Sequence, residues 1–188
     1  MQCLREKGYA RTTARDLVAA SGTNLASIGY HFGSKEALLD QAIARGFDQW
    51  AEEVEGAMFA APEASAAERF AISLEAMIGR FDELRPYLVA FVEALPRALR
   101  SPELRETLAA AYARCREAGA RMASSALAGE RMEISDTQAR DLASVGMAIC
   151  DGIMIQWLLD PDATPGAAQV VESLGLALVA VQPGRASA

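Results

Sequence analysis

No stretch of this chain alternates apolar and polar residues with a period of two between turn residues; where a pattern persists, it repeats every three to four positions. The fold must therefore be assembled from helices. Alanine, the strongest helix former, occupies about a fifth of the positions, which points the same way. With 188 residues and 52% hydrophobic side chains the chain can bury a genuine core, roughly 70% of its unfolded surface. Apolar runs are broken by charge or proline before the ~18 residues a bilayer span needs, and the opening MQCLREKGYARTT has no signal-peptide stretch. The expectation is a soluble cytoplasmic protein with no membrane partner. Cys3, Cys115 and Cys150 are widely spaced and form no CxxC, so neither a disulfide framework nor a metal site is indicated.

Local signals divide the chain. Thr13-Ala-Arg-Asp16 has the form of a capping box, and Ala14, Leu17 and Val18 make the apolar stripe of a short helix over 13–20. Ser21-Gly-Thr-Asn24 breaks it. Asn24 caps a second short helix with Leu25, Ile28 and Phe32 at helical spacing, and Gly33-Ser34 leads into a third over 35–57. Pro62 and Ser65-x-x-Glu68 open a helix to Glu83; Pro86 breaks the chain before another carrying Tyr87, Phe91 and Leu95, and Pro96 to Pro102 reads as an irregular connection. Ser101-Pro102-Glu103 starts a helix over 102–128, Ser135-x-x-Gln138 one over 136–159, and Thr164-Pro165 the last, to Val181, ahead of a small-residue tail after Pro183. The predicted fold is all-α: a three-helix head over 1–46 and a larger helical bundle over 47–188.

The charge is distributed unevenly. The formal total of -7 argues against a nucleic-acid partner, yet residues 1–35 carry five basic and two acidic side chains, a net of +3, over a remainder of -10. Two short helices joined by a four-residue turn with a glycine fit a helix-turn-helix, whose second helix enters the major groove by its N-terminal end. Asn24, Ala26, Ser27 and Gly29 are small or polar on the side opposite Leu25, Ile28 and Phe32, so the backbone can approach base edges. Thr12, Thr13, Tyr30, His31 and Lys35 stand around them as phosphate contacts. Spacing alone leaves open two ordinary helices of a bundle.

The stretch GYARTTARDLVAASGTNLASIGYHFGSKEALLDQAI, Gly8 to Ile43, closely resembles the DNA-binding head of TetR-family transcriptional regulators, above all in its Tyr-His-Phe-Gly-Ser-Lys-Glu-x-Leu-Leu run. The resemblance implies a recognition helix over 25–31, including Leu25, with Tyr30, His31, Lys35 and the Thr12/Thr13 pair on the phosphates. It also implies a homodimer on a palindromic double-stranded operator, released by a small-molecule effector, most simply as a repressor. Two departures stand out. Gly29 replaces a tyrosine of many members, which removes a base or sugar contact, and only Met1 to Lys7 precede the Gly-Tyr, where the family's first helix starts well upstream. That helix is therefore expected to be truncated.

The body needs its own reading. From Val145 to Leu159 the chain is apolar on nearly every side except at Asp151 and Gln156, and such a helix must be covered all round. A second subunit is the expected cover, with helices 102–128 and 136–159 forming the dimer interface and Ala148 and Gly152 permitting close approach. The alternative is a central helix buried in a monomer. Expected effector walls are Phe70, Met77, Phe81, Tyr87, Phe91, Tyr112, Met147, Met154 and Trp157, with Asp151 as their carboxylate, which requires either Arg114, Arg121 or a cationic or hydroxylic ligand. The one histidine excludes His-based triads and multi-His metal clusters, and there is no GxGxxG, P-loop or GxSxG, so neither enzyme chemistry nor a cofactor is expected. The competing reading is a helical small-molecule or lipid-binding protein whose head no longer reads DNA.

Overall fold

The computed structural model describes residues 2–61 and 63–181; Pro62 as a helix opener and the tail after Pro183 lie outside the described residues. The described chain is helical throughout, in nine segments. Helix α1 (Gln2–Arg11) bends at Gly8, whose φ of 72° lies in the left-handed region where a side chain is strained. Helix α2 (Ala14–Ser21) carries the expected capping box: the Thr13 hydroxyl accepts from the Asp16 amide, and the Asp16 carboxylate accepts from the Thr13 amide at 2.8 Å. Gly22, with φ 67°, ends it. Asn24 then caps α3 (Leu25–Phe32), and Ser34 precedes the long α4 (Lys35–Phe59), which runs through the expected domain boundary at residue 46.

The body holds α5 (Ala66–Ile78), α6 (Phe81–Ala98), α7 (Pro102–Gly129), α8 (Asp136–Leu159) and α9 (Ala167–Val181). The caps Ser65, Ser101 and Ser135 sit where expected. The treatment of the prolines needs correcting: α5 stops at Ile78, and both Pro86 and Pro96 lie inside α6. Each proline costs a helix interior about 3 kcal/mol. Against that, Phe81, Leu88 and Phe91 on α6 are almost wholly buried, each contributing about 1.5–3 kcal/mol, with Ala94 beside them. Packing outweighs the local penalty, so one continuous helix replaces the expected break.

Head and body share a single core in which Leu4, Tyr9, Leu39 and Ile43 join Leu74, Phe81, Phe91, Met154 and Trp157. A second, small-residue cluster seals α7 to α8: Ala120, Ala139 and Ala143 are buried, and a Cβ on Gly119 would stand 3.0 Å from that of Ala143. Helices α4 and α7 run side by side in the same direction, because Arg114 pairs with Asp48 at 2.8 Å and Arg121 with Glu55 at 2.9 Å, seven residues further along each helix. Although Asp141 and Asp151 interrupt its apolar run, α8 is long and apolar enough to cross a membrane by length and composition, and only 22% of its most apolar window is buried. Much of this apolar helix therefore lies open on the outside of the chain.

Candidate nucleic-acid interface and interior polar site

The second helix of the head has one buried side and one open side. Ile28 anchors it in the core, with Phe32 half-buried beside it, while Asn24, Leu25, Ala26, Gly29, Tyr30 and His31 are exposed. Tyr30 is 86% exposed and Leu25 54%, an unusual expense of apolar surface in so small a head. The rings of Tyr30 and His31 meet edge to face at 5.0 Å, so the two side chains hold one another at the end of the open face. Asn24 receives hydrogen bonds from the Ser27 amide and hydroxyl at 2.9 and 3.2 Å and is a structural cap as well as a surface group. No atom lies within 4 Å of a Cβ built on Gly29, so packing does not require glycine there. Its missing side chain leaves a gap in the open face.

Two of the expected phosphate contacts look inward. Thr12 is fully buried, and its hydroxyl donates to the carbonyls of Gly8 at 2.7 Å and Cys3 at 3.2 Å; it splices the bent α1 and cannot meet a phosphate in this arrangement. Lys35, half-buried, donates to the Thr12 carbonyl at 2.9 Å and pairs with Glu36 at 3.2 Å, so it ties α4 to the end of α1 before it serves any ligand. Thr13 is exposed at the N-terminus of α2, where backbone amides and the helix dipole favour an anion. Sequence reasoning passed over Arg15, exposed in that same first turn.

The expected effector walls are brought together around one packed cluster. Met77, Phe81, Tyr87, Phe91, Met154 and Trp157 are buried in one cluster, with Phe70 and Tyr112 half-buried against it and Met147 half-buried on α8. The Phe81 and Trp157 rings lie 5.2 Å apart, and the Arg85 guanidinium caps Trp157 at 5.3 Å. At the heart of this wall the Tyr112 hydroxyl donates to Asp151 at 2.9 Å, and Tyr112 stacks on Phe91 with centroids 6.1 Å apart. The expected arginine partners of Asp151 are corrected here: Arg114 and Arg121 point the other way, to Asp48 and Glu55 on α4. Burial pushes the Asp151 carboxyl above its ordinary range, and the Tyr112 hydrogen bond only partly opposes it. The nearby Cys150 thiol is pushed up to about 12 by burial and by Asp151. An open cleft of about 150 Å³ lies elsewhere, between α1 and α6.

Residues 1–42 match the sequence profile of bacterial regulatory proteins of the tetR family, and residues 66–180 match that of the BetI-type transcriptional repressor C-terminal domain. No curated protein sequence matches the chain. Among solved structures, a candidate transcriptional regulator of Pseudomonas aeruginosa PAO1 superposes with a TM-score of 0.70 at 22% identity, covering 96% of this chain and 86% of its own. A TetR-family candidate from Rhodococcus sp. gives 0.69 at 20%, covering 95% and 92%. A candidate regulator of Saccharomonospora viridis, in complex with choline, gives 0.65 at 22%, covering 94% and 89%. At these identities the likeness is one of fold.

Proposed function

Because the chain belongs to the TetR family of transcriptional regulators, we propose that it is a cytoplasmic one-component repressor that binds a palindromic operator as a homodimer and releases it when a small molecule enters the body. The observation that carries the reading is the open face of α3, where Leu25, Ala26, Gly29 and Tyr30 stay uncovered on a helix that is capped and anchored from behind. Thr13, Tyr30, His31 and Arg15 flank that face as phosphate contacts, with Lys35 positioning the head from inside; Thr12 is left out.

The dimer surface is assigned to α8 and α9 rather than to α7 and α8. The stripe of α7 that carries Leu104, Leu108 and Ala111 is buried within its own chain. Helix α8 exposes Leu142, Val145, Ile155 and Leu159, and α9 exposes Leu176 and Val179. Two copies related by a two-fold axis would cover both faces in a four-helix seam.

The effector site is centred on Asp151 and Tyr112. A half-buried carboxylate whose hydrogen-bond donor among the described residues is a neutral hydroxyl favours a cation beside it, and the choline held by the Saccharomonospora viridis protein supports that class of ligand. Tyr112 sits on α7, whose outer arginines grip Asp48 and Glu55 of α4. A ligand that takes Asp151 from Tyr112 therefore acts on α7, and through it on the helix that carries the head. It shifts the equilibrium only by its preference for the released form; a swing from 1:99 to 99:1 needs roughly 10⁴-fold.

Selection from a random duplex pool tests the first step. A palindromic sequence should emerge and bind with a steep inverse dependence on salt, and Tyr30→Ala should weaken binding by about tenfold or more with an unchanged helical spectrum. Selection of no sequence would favour a small-molecule-binding protein whose head reads nothing.

A further inference from the structure

Three elements meet at one buried carboxylate. The Tyr9 hydroxyl, on α1, donates to Asp40 Oδ1 on α4 at 2.6 Å. The Arg97 guanidinium, in the last turn of α6, stands 3.5 Å from the same oxygen and lies 4.4 Å from the centre of the Tyr9 ring. Tyr9 and Asp40 are buried, whereas Arg97 reaches them from the surface. We propose that Tyr9, Asp40 and Arg97 form a clasp that fixes the angle of the head on the body and so sets the half-site spacing the dimer accepts. The inference rests on the operator-binding homodimer proposed above.

The surroundings make this cluster a positioning device. Gly8 bends α1 immediately before Tyr9, so the tyrosine belongs to a short final segment with little helical backbone of its own. Pro96 removes a backbone hydrogen bond immediately before Arg97, in the last turn of α6. Beside this contact runs the open cleft, with Lys7, Gly8 and Arg11 on one side and Pro86, Val89 and Glu93 on the other, while Leu4 and Tyr9 of α1 pack with Leu88, Ala90 and Ala94 of α6 in the shared core. Tyr9 lies on the cleft too, and its hydroxyl reaches Asp40. Burial and the bond to Asp40 push the Tyr9 hydroxyl well above its ordinary value, so it stays a proton donor at any physiological pH. A clasp of this kind is made or broken, because removing one partner leaves a buried charge uncompensated. In a two-fold dimer any rotation of the head is repeated in the partner, and half-sites must fall whole helical turns apart.

The test uses the full chain, the duplex selected by the wild type, and versions of it with the spacer changed by one and two base pairs. The wild type should lose about tenfold or more on each altered spacer. Tyr9→Phe and Arg97→Gln should bind the altered spacers within about threefold of the selected one, and Arg97→Lys should fall between. Amide exchange in free protein provides a second reading that needs no DNA: both variants should speed exchange across α1 and leave α8 unchanged. Spacer penalties equal to wild type would overturn the clasp, as would a uniform loss on all duplexes that tracks a lower Tm. If the wild type selects no duplex, the operator reading fails by itself, and unchanged α1 exchange in Tyr9→Phe and Arg97→Gln would then overturn the clasp independently.

Discussion

Asp151 is costly in the folded protein, and the proposed effector site draws on that cost. Its carboxyl is held above its ordinary range by burial, so its stabilising contribution is complete at pH values below the unfolded carboxylate pKa and is lost as the pH rises through the higher folded value. Asp151→Asn keeps an acceptor for Tyr112 and removes the buried charge. The variant is therefore expected to raise Tm at neutral pH, to lose that advantage on acidification, and to bind the proposed cationic effector at least about tenfold more weakly. Thermal melts across pH, together with calorimetric titration, read both effects; an unchanged pH dependence of Tm would dismiss the account. Position 151 was legible as an anomaly in the sequence, a charge in an apolar helix. Its partner was not, because Arg114, Arg121 and Tyr112 all lie on α7, and only the rotation of that helix decides which of them faces inward.

Short helices depend on their caps far more than long ones, and α2 is the case in point. Asp16 closes the capping box of Thr13 and also pairs with Lys7 at 2.5 Å, and Lys7 together with the Thr13 bonds holds its carboxyl well below the ordinary range. A depressed folded pKa is stabilising above the unfolded carboxylate value, about 4, and the stabilisation is lost as the pH falls through the folded one. Acidification should therefore open the amides of α2 to exchange before those of α8, and Asp16→Asn should open α2 early at neutral pH as well, so that its exchange no longer depends on acidification. Simultaneous opening would show that the cap does not govern the head. Caps were among the most readable signals in this chain: Thr13, Asn24, Ser65, Ser101 and Ser135 all sit at the helix starts they announced. Proline signals misled at α6, because a local rule about hydrogen bonds cannot count the aromatic area that Phe81 and Phe91 bury against distant helices.

At the scale of the whole molecule α8 and α9 leave apolar side chains exposed, and in the proposed homodimer a second copy covers them. Leu142→Glu with Val145→Glu places two charges on that seam without touching the core residues Ala143 and Ile153. The pair should halve the mass seen in sedimentation and weaken operator binding by about a hundredfold or more, since each head would then bind alone. An unaltered dimer would place the seam elsewhere. The sequence by itself determined the helical class, the caps, the basic reading head within an acidic chain, and the motif from Gly8 to Ile43, because these are set by neighbours within a few positions. Only the tertiary structure decided that Thr12 is a buried splice rather than a phosphate contact, that α7 turns its apolar stripe inward, and that Tyr9, Asp40 and Arg97 meet at one oxygen. Those outcomes depend on how helices far apart in the chain rotate and approach when they share one core, and periodicity along a single helix carries no record of that choice.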